Sequence, residues 1–200
     1  MTSSPGEQKT NVRPSLRIAA ALLLPALAAL WLWTTHYPPV RELRLFLFED
    51  RQAAQMPWHL ISESWTEADV LAHFQGYPVQ CRADYTNTPG ITRACAVDLK
   101  SLNGVETMYV NFLFANGHLM RVGSAVPWWA HRKGLDTLIA AYGQPHATQA
   151  KKHAGIRLHG WKLQGGGSVF YNRDRSNNPL ESNSIQWVSD SSCAPQACIQ

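Results

Sequence analysis

Charged residues are scarce in this 200-residue chain: 16% of its residues are Asp, Glu, Lys or Arg, where about 25% is usual for soluble proteins. The deficit is local, because the stretch from Ile18 to Trp33 contains no charge. With eight Trp, six Tyr and six Phe, the chain has too many large apolar side chains for a disordered protein. This composition excludes a polytopic membrane protein, a collagen-like chain and a low-complexity linker. The length corresponds to one domain or two small ones.

Motifs of catalysis and of metal binding are absent as well. The chain has no G-x-S-x-G nucleophile elbow and no C-x-x-C pair. His146, His153 and His159 lie close in sequence but lack the i, i+4 spacing of a helical metal site, so we interpret them as surface or loop histidines. Gly165 to Gly167 precede the β-like sequence Ser168 to Tyr171, which favours a hairpin turn over a phosphate loop. The sequence therefore predicts no enzyme, no cofactor and no metal.

The uncharged stretch predicts a transmembrane anchor. Its sixteen residues form about 24 Å of helix, so residues as far as Tyr37 must contribute to a span of about 30 Å. A cleaved signal peptide, with its small-residue site at residues 26–28, is the alternative. We predict a cytoplasmic tail at residues 1–17 and an uncleaved anchor at residues 18–37.

Four cysteines fall in two pairs, Cys81 with Cys95 and Cys193 with Cys198. An even number is typical of an oxidising compartment, although four cysteines allow three connectivities. A hairpin centred on Thr88 places Cys81 directly opposite Cys95, at the close spacing that a disulfide requires. The second pair closes a short loop at the C-terminus. Together with the anchor, the pairs predict a single-pass protein of the bacterial inner membrane whose C-terminal domain lies in the periplasm.

The region beyond the predicted anchor is nearly neutral. Residues 38–200 carry 15 Lys and Arg against 13 Asp and Glu. This balance argues against nucleic acid as a partner, because nucleic-acid binding depends on a basic face. The sequence predicts no small-molecule ligand either.

Two segments predict amphipathic helices, each ended by a glycine with a proline two residues later. At the start of the first helix, Ser64 has capping-box spacing to Glu67, and Thr66 nearly has it to Asp69. The second helix begins at Pro127. At an offset of 67 residues the two helix ends superpose, which indicates an internal duplication. The matching pairs are Asp69 with Asp136, Leu71 with Leu138, Gly76 with Gly143, and Pro78 with Pro145.

Each predicted helix precedes strand-like segments joined by turn sequences such as Asn103-Gly104 and Asn116-Gly117. This order predicts an α+β fold, with an N-terminal transmembrane helix followed by two tandem units of a helix plus an antiparallel meander. The units are residues 64–126 and 127–200, and residues 38–63 form a linker in which Val40 to Phe48 starts a strand or continues a helix. The strand segments are Val79 to Tyr85, Ile91 to Leu99, Val105 to Phe114, Leu119 to Val122, Ile156 to Leu163, Ser168 to Tyr171 and Ser184 to Val188.

A helix that ends in Gly-x-Pro before an antiparallel meander resembles the small outer-membrane assembly lipoproteins of the BamE (SmpA/OmlA) type. In tandem, with a disulfide across a hairpin, the pattern also looks like the β-lactamase inhibitor protein fold. The resemblance covers about residues 64–189 and rests on the four matching pairs at the helix ends. Members of both groups bind proteins and are not enzymes, so the resemblance implies a protein-binding role. The chain lacks the cysteine of a lipoprotein, and the resemblance assigns no functional residue.

Adjacent tryptophans at the start of the second predicted helix supply the candidate binding residues. Trp128 and Trp129 diverge by about 100° on a helix, so one can be core while the other is exposed. Core packing is one interpretation of these rings, and the other is a protein-binding anchor formed by Trp128, Trp129 and His131.

The sequence as a whole predicts a membrane-anchored periplasmic binding or scaffold domain, without enzyme activity, in an envelope assembly or secretion complex. Its partners would be envelope proteins. An inhibitor or immunity protein that blocks a hydrolase or toxin is the alternative. An enzyme of unrecognised type is the least favoured interpretation.

Overall fold

The computed structural model describes residues 36–83, 89–151 and 156–192, together with Leu23, Pro25, Leu27, Trp31 and Leu32. The chain divides into two compact units, Met1–Arg41 and Glu42–Gln200. The described residues form three α-helices of at least seven residues, and 3-10 turns at Trp58–Leu60 and Trp128–Ala130. The helices are α1 (Pro38–Phe48), α2 (Glu67–His73) and α3 (His131–Tyr142).

The strands of the described residues all belong to the second unit and form two sheets. The smaller sheet has the order β1-β4-β5, and the larger has the order β2-β3-β6-β7-β11-β10-β9-β8. Every neighbouring pair in the larger sheet is antiparallel. The strands are β1 (Ala53–Ala54), β2 (Gln80–Arg82), β3 (Arg93–Asp98), β4 (Ser101–Leu102), β5 (Val105–Glu106), β6 (Tyr109–Ala115), β7 (His118–Val126), β8 (Ala147–Lys151), β9 (Ile156–Lys162), β10 (Ser168–Asn172) and β11 (Asn183–Val188).

Two four-stranded meanders build the eight-stranded sheet and meet edge to edge. The strands β2, β3, β6 and β7 follow α2, and β8 to β11 follow α3. The join is the pairing of β7 with β11, which runs from Val126 opposite Asn183 to Arg121 opposite Val188. The chain is therefore an α+β protein with one large antiparallel sheet, and this part of the predicted fold class is correct.

Local sequence signals set several element boundaries. Thr66 caps α2, since its hydroxyl accepts a hydrogen bond from the Asp69 amide while the Asp69 carboxylate accepts one from the Thr66 amide at 2.7 Å. These hydrogen bonds from Thr66 lower the pKa of Asp69. The turns Asn103-Gly104 and Asn116-Gly117 have positive φ at both residues, as hairpin turns of this type require. The two predicted Asn-Gly turns are confirmed.

The core lies between one face of the large sheet and the helices α2 and α3. Phe74, at the end of α2, packs edge-on against Phe112 of β6 with ring centroids 5.7 Å apart. Leu138 of α3 belongs to the same buried cluster. Residues upstream of α2 also fill this core, because Trp58 and its neighbours Met56 and Ile61 are buried. We call this side of the sheet the covered face.

The predicted transmembrane helix at residues 18–37 is overturned. Among the residues that the structure describes, no helix is long and apolar enough to cross a membrane. The helix α1 has 11 residues, about 16 Å against the roughly 30 Å of a bilayer core, and it carries Arg41, Glu42 and Arg44. Most of the range 18–37 lies outside the described residues. The predicted single-pass inner-membrane location depended on this helix and is withdrawn with it.

Helix α3 approaches the sheet closely through Gly134. The helix begins at His131 and not at Pro127, where the sequence predicted its start. The residues between them form the 3-10 turn, which is closed by a hydrogen bond from the Ala130 amide to the Pro127 carbonyl. Gly134 is buried, and a Cβ there would lie 2.8 Å from the hydroxyl oxygen of Tyr171 on β10. This hydroxyl donates a hydrogen bond to the His131 carbonyl at 3.0 Å, so it is fixed in place.

Gly134→Ala is therefore expected to destabilise the protein by about 1–2 kcal/mol. Alanine is better than glycine in a helix by about 1 kcal/mol, but overpacking costs about 1–3 kcal/mol and outweighs that gain. Urea denaturation followed by circular dichroism measures the change. The same substitution in a Tyr171→Phe background should cost less, because the nearest clashing atom is then gone. A stabilising Gly134→Ala in both backgrounds would contradict the close approach.

Candidate functional site

The two faces of the large sheet differ in what they carry. Side chains alternate along each strand, so Phe112 and Val122 point to the covered face, while Asn111 and Gly123 point to the opposite side. We call that opposite side the open face. Phe46, at the end of α1, packs on Ala125 and Met108 at one end of it. Towards the centre, the open face carries small or polar side chains that are partly or fully exposed: Ala96, Asn111, Arg121, Gly123, Ser184 and Gln186.

A pocket of about 230 Å³ lies at the centre of the open face, and we call it the Arg121 pocket. It forms where β6, β7 and β11 run side by side, so that Asn111, Gly123 and Gln186 lie in one row across three strands. Gly123 leaves room in this row, since a Cβ there would lie 2.5 Å from the Asn111 side-chain oxygen. The lining residues are Tyr109, Asn111, Leu113, Arg121, Gly123, Ser124, Ala125, Ser182, Ser184 and Gln186.

Among the described residues that line this pocket, Arg121 is the one that carries a charge. It is exposed, and among the described residues it forms no ion pair. Two other cations of the second unit do have partners. Lys162 pairs with Asp190 at 2.6 Å, and this contact lowers the pKa of Asp190. The Arg51 guanidinium, only 3% exposed, pairs with Glu49 at 2.8 Å. The Arg121 pocket therefore has a positive charge that no described side chain neutralises through an ion pair.

The predicted binding residues Trp128, Trp129 and His131 lie at the start of α3. The Trp128 indole nitrogen donates a hydrogen bond to the Ser176 carbonyl at 2.6 Å, and the Arg175 guanidinium lies 3.8 Å from its ring centroid. Trp129 is 45% exposed. Of the three residues, Trp129 presents the largest accessible aromatic surface.

His131 is buried and lies in a group of titratable side chains. Its Nε2 is 2.9 Å from the Asn172 carbonyl, and its ring stacks on Tyr171 with centroids 5.2 Å apart. Burial raises the pKa of Tyr171 well above its usual range. Burial, followed by the charge of Arg173, lowers the pKa of nearby His159. Because the Tyr171 hydroxyl and the His131 Nε2 both have partners, these contacts hold α3 on the sheet.

The cysteines Cys81 and Cys95 are joined by a disulfide between β2 and β3. They lie directly opposite each other in the strand register, and their Cα atoms are 4.0 Å apart. With Glu67 they form the one group of potential metal ligands in the described part of the chain. Because the two sulfur atoms are bonded to each other, neither is a thiolate that can bind a metal. Cys193 and Cys198 lie outside the described residues.

A second cavity, of about 270 Å³, lies on the helix side of the sheet. It is bounded by α3, by the hairpin of β4 and β5, and by the Trp58–Leu60 turn. Its walls include Leu102, Val105, Leu138 and Ile185, so it is largely apolar. Burial raises the pKa of Tyr142 at its rim. The cavity has space and apolar contacts, but its lining carries no charged side chain apart from the ionisable His59 and Tyr142.

No family model, curated protein or solved structure matches this chain. The geometry of its surfaces is therefore the basis for a functional assignment.

Sequence reasoning did not identify the residues of the Arg121 pocket as candidates. Along β7, the exposed and charged Arg121 precedes buried Val122, a step typical of a strand with one covered face. That pattern identifies Arg121 as outward-facing, but it does not reveal which strand lies beside it. The pairing of β7 with β11 joins residues more than fifty positions apart and brings Gln186 to the same pocket.

Proposed function

We propose that this chain is a non-enzymatic protein-binding domain whose partner docks on the open face of the eight-stranded sheet. The observation that carries the proposal is the one-sided cover of this sheet: α2 and α3 pack on one face, and the centre of the other face presents mostly polar and small side chains, together with Tyr109 and Leu113, around the Arg121 pocket. Most of these side chains are short, which leaves a surface that a partner can approach closely.

The chemistry of the pocket favours binding over catalysis. General acid–base catalysis needs a carboxylate, an imidazole or a similar group with a pKa near the working pH. The lining of the Arg121 pocket, as far as the structure describes the chain, holds no carboxylate, imidazole or thiol. It offers hydrogen-bond donors and acceptors from amide and hydroxyl side chains and one guanidinium, which are groups typical of the polar part of a protein interface.

The rigidity of the sheet supports the same role. Eight hydrogen-bonded strands and the Cys81–Cys95 disulfide fix the spacing of the groups on the open face. A surface that is ordered before binding loses less conformational entropy when the complex forms. The open face is therefore suited to recognition of a partner by shape and charge.

Site-specific photo-crosslinking in intact cells tests the proposal. A benzophenone amino acid replaces Ala96, which is exposed on the open face, or Ala140, which is exposed on α3 and serves as the matched control. We expect one discrete crosslinked protein from position 96 and none from position 140. The same partner captured from position 129 would extend the interface to the predicted aromatic residues. No crosslink from position 96, or equal crosslinks from positions 96 and 140, would contradict docking on the open face.

A further inference from the structure

The Arg121 pocket has a chemistry that selects one kind of contact from a partner. Its single charge is the Arg121 guanidinium, and the amide groups of Asn111 and Gln186 lie beside it in the neighbouring strands. The Gln186 amide donates a hydrogen bond to the Ser184 hydroxyl at 3.1 Å, which fixes its direction. The pocket is therefore a donor-rich depression with a net positive charge, and none of its described lining residues is acidic.

We infer that the Arg121 pocket receives a carboxylate side chain from an acidic segment of the protein partner. This inference depends on the proposed docking of a protein on the open face. A guanidinium offers a planar fork of N–H donors that matches the two oxygen atoms of a carboxylate, and such charge-assisted pairs are stronger than neutral hydrogen bonds. The volume of about 230 Å³ accommodates an Asp or Glu side chain.

Charge excludes two other occupants. A symmetric contact between two copies of this face, centred on the pocket, would bring Arg121 close to its own counterpart, and two unneutralised guanidinium groups repel each other. The uncharged stretch of this chain from Ile18 to Trp33 has no carboxylate to offer. An acidic segment of a different protein satisfies the charge, the donors and the size of the pocket together.

Nuclear magnetic resonance titration of the full-length protein tests this inference. The probe is a hexaglutamate peptide, with a hexaglutamine peptide as the uncharged control. We expect hexaglutamate to shift the Nε–H signal of Arg121 and the side-chain amide signals of Asn111 and Gln186. Hexaglutamine should leave all three in place. The shifts should weaken as salt is added, because the contact is ionic and exposed.

A matched pair of arginine variants locates the contact. Arg82 lies in the edge strand β2, opposite Ala94 of β3, and is exposed on the same face. It is three strands away from Arg121, which is about 14 Å at the usual strand spacing. We expect Arg121→Gln to weaken hexaglutamate binding at least about tenfold, the size of one lost charged hydrogen-bonding contact. Arg82→Gln should change it less than about twofold, well below that effect. Arg121→Lys, which keeps the charge but loses the fork, should fall between them.

Three results would overturn the inference. Equal losses in Arg82→Gln and Arg121→Gln would show a diffuse attraction and no pocket. Absence of shifts with hexaglutamate at low salt would show that the pocket does not take carboxylates. Tighter binding of a short DNA duplex, sensitive to Arg121→Gln, would assign the pocket to phosphate. If crosslinking at position 96 still captures a partner, these results refute the acidic contact but not the docking of a protein on the open face. If crosslinking at position 96 captures no partner, the proposed function itself is refuted.

Discussion

Replacing Gly167 with alanine is expected to lower the free energy of unfolding by roughly 2–5 kcal/mol, a larger loss than the one expected for Gly134→Ala. Gly167 closes the turn between β9 and β10 with φ of +75°, a conformation that costs other residues about 1–2 kcal/mol. A Cβ at this position would lie 2.6 Å from the Trp187 indole nitrogen and from its neighbouring carbon Cε2. Trp187 is 1% exposed, so its ring has no free space to move into, and such overpacking costs about 1–3 kcal/mol more.

Gly166→Ala is the matched control for this prediction. Gly166 belongs to the same turn and has φ of +95°, but the nearest atom to its Cβ position is the Asp190 side-chain oxygen at 3.9 Å. Only the backbone cost of about 1–2 kcal/mol is therefore expected for this variant. Urea denaturation of both variants separates the two contributions. Equal losses would show that contact with the Trp187 ring is not what makes Gly167 necessary.

Turns are the part of the fold that the sequence predicts best, because turn chemistry is local. Asn103-Gly104, Asn116-Gly117 and the Gly165 to Gly167 triplet each carry the residues that positive φ requires, and each forms a turn between strands or strand-like segments. The hairpin register that places Cys81 opposite Cys95 also follows from local spacing around a single turn. In these cases, a few neighbouring residues contain all the information that the conformation needs.

Elements that depend on distant partners are not predictable in this way. Strand β8, Ala147–Lys151, has the sequence ATQAK, which has neither apolar alternation nor β-branched enrichment. It is a strand because all five of its residues pair with β9. Similarly, Met56, Trp58 and Ile61 show no helical or strand period, yet all three are buried in the core. Tertiary pairing and packing decide these segments, and local propensity does not record them.

The Arg121 pocket also depends on distant strand pairing and is therefore not predictable from local sequence. The charge of Arg121 marks it as an outward-facing residue of β7, but the pocket arises only because β7 pairs with β11 across the boundary between the two meanders. The tryptophans at the start of α3 are sequence candidates because aromatic residues dominate many interfaces. In the structure, the Trp128 indole has an internal hydrogen bond and a guanidinium on its ring, contacts that the sequence does not reveal.

Removal of the Cys81–Cys95 disulfide is the second large expected effect. The bond closes a loop with a sequence separation of 14 residues, and in the chain-entropy account a crosslink of that size stabilises the folded state by about 3 kcal/mol. The strand that it holds is short: β2 pairs with β3 through three residue pairs and has no neighbour on its other side among the described strands. We therefore expect Cys81→Ala/Cys95→Ala to lower the free energy of unfolding by about 3–4 kcal/mol and to expose the β2 amides to hydrogen exchange.

Alanine is smaller than cysteine and Cys95 is fully buried, so the double-alanine variant loses packing contacts as well as the crosslink. The reduced protein loses only the crosslink, and comparing the two separates these contributions to the free energy of unfolding. The parent for this test carries Cys193→Ser and Cys198→Ser, so that reduction acts on one cysteine pair. The reduced parent should lose about 3 kcal/mol relative to the oxidised parent. The double-alanine variant should lose about 4 kcal/mol, because the sulfur contacts are missing as well. If reduction changes the urea midpoint little and β2 stays protected, the hydrogen bonds and packing of the sheet alone hold this edge. The rigidity of the open face would then not depend on the disulfide.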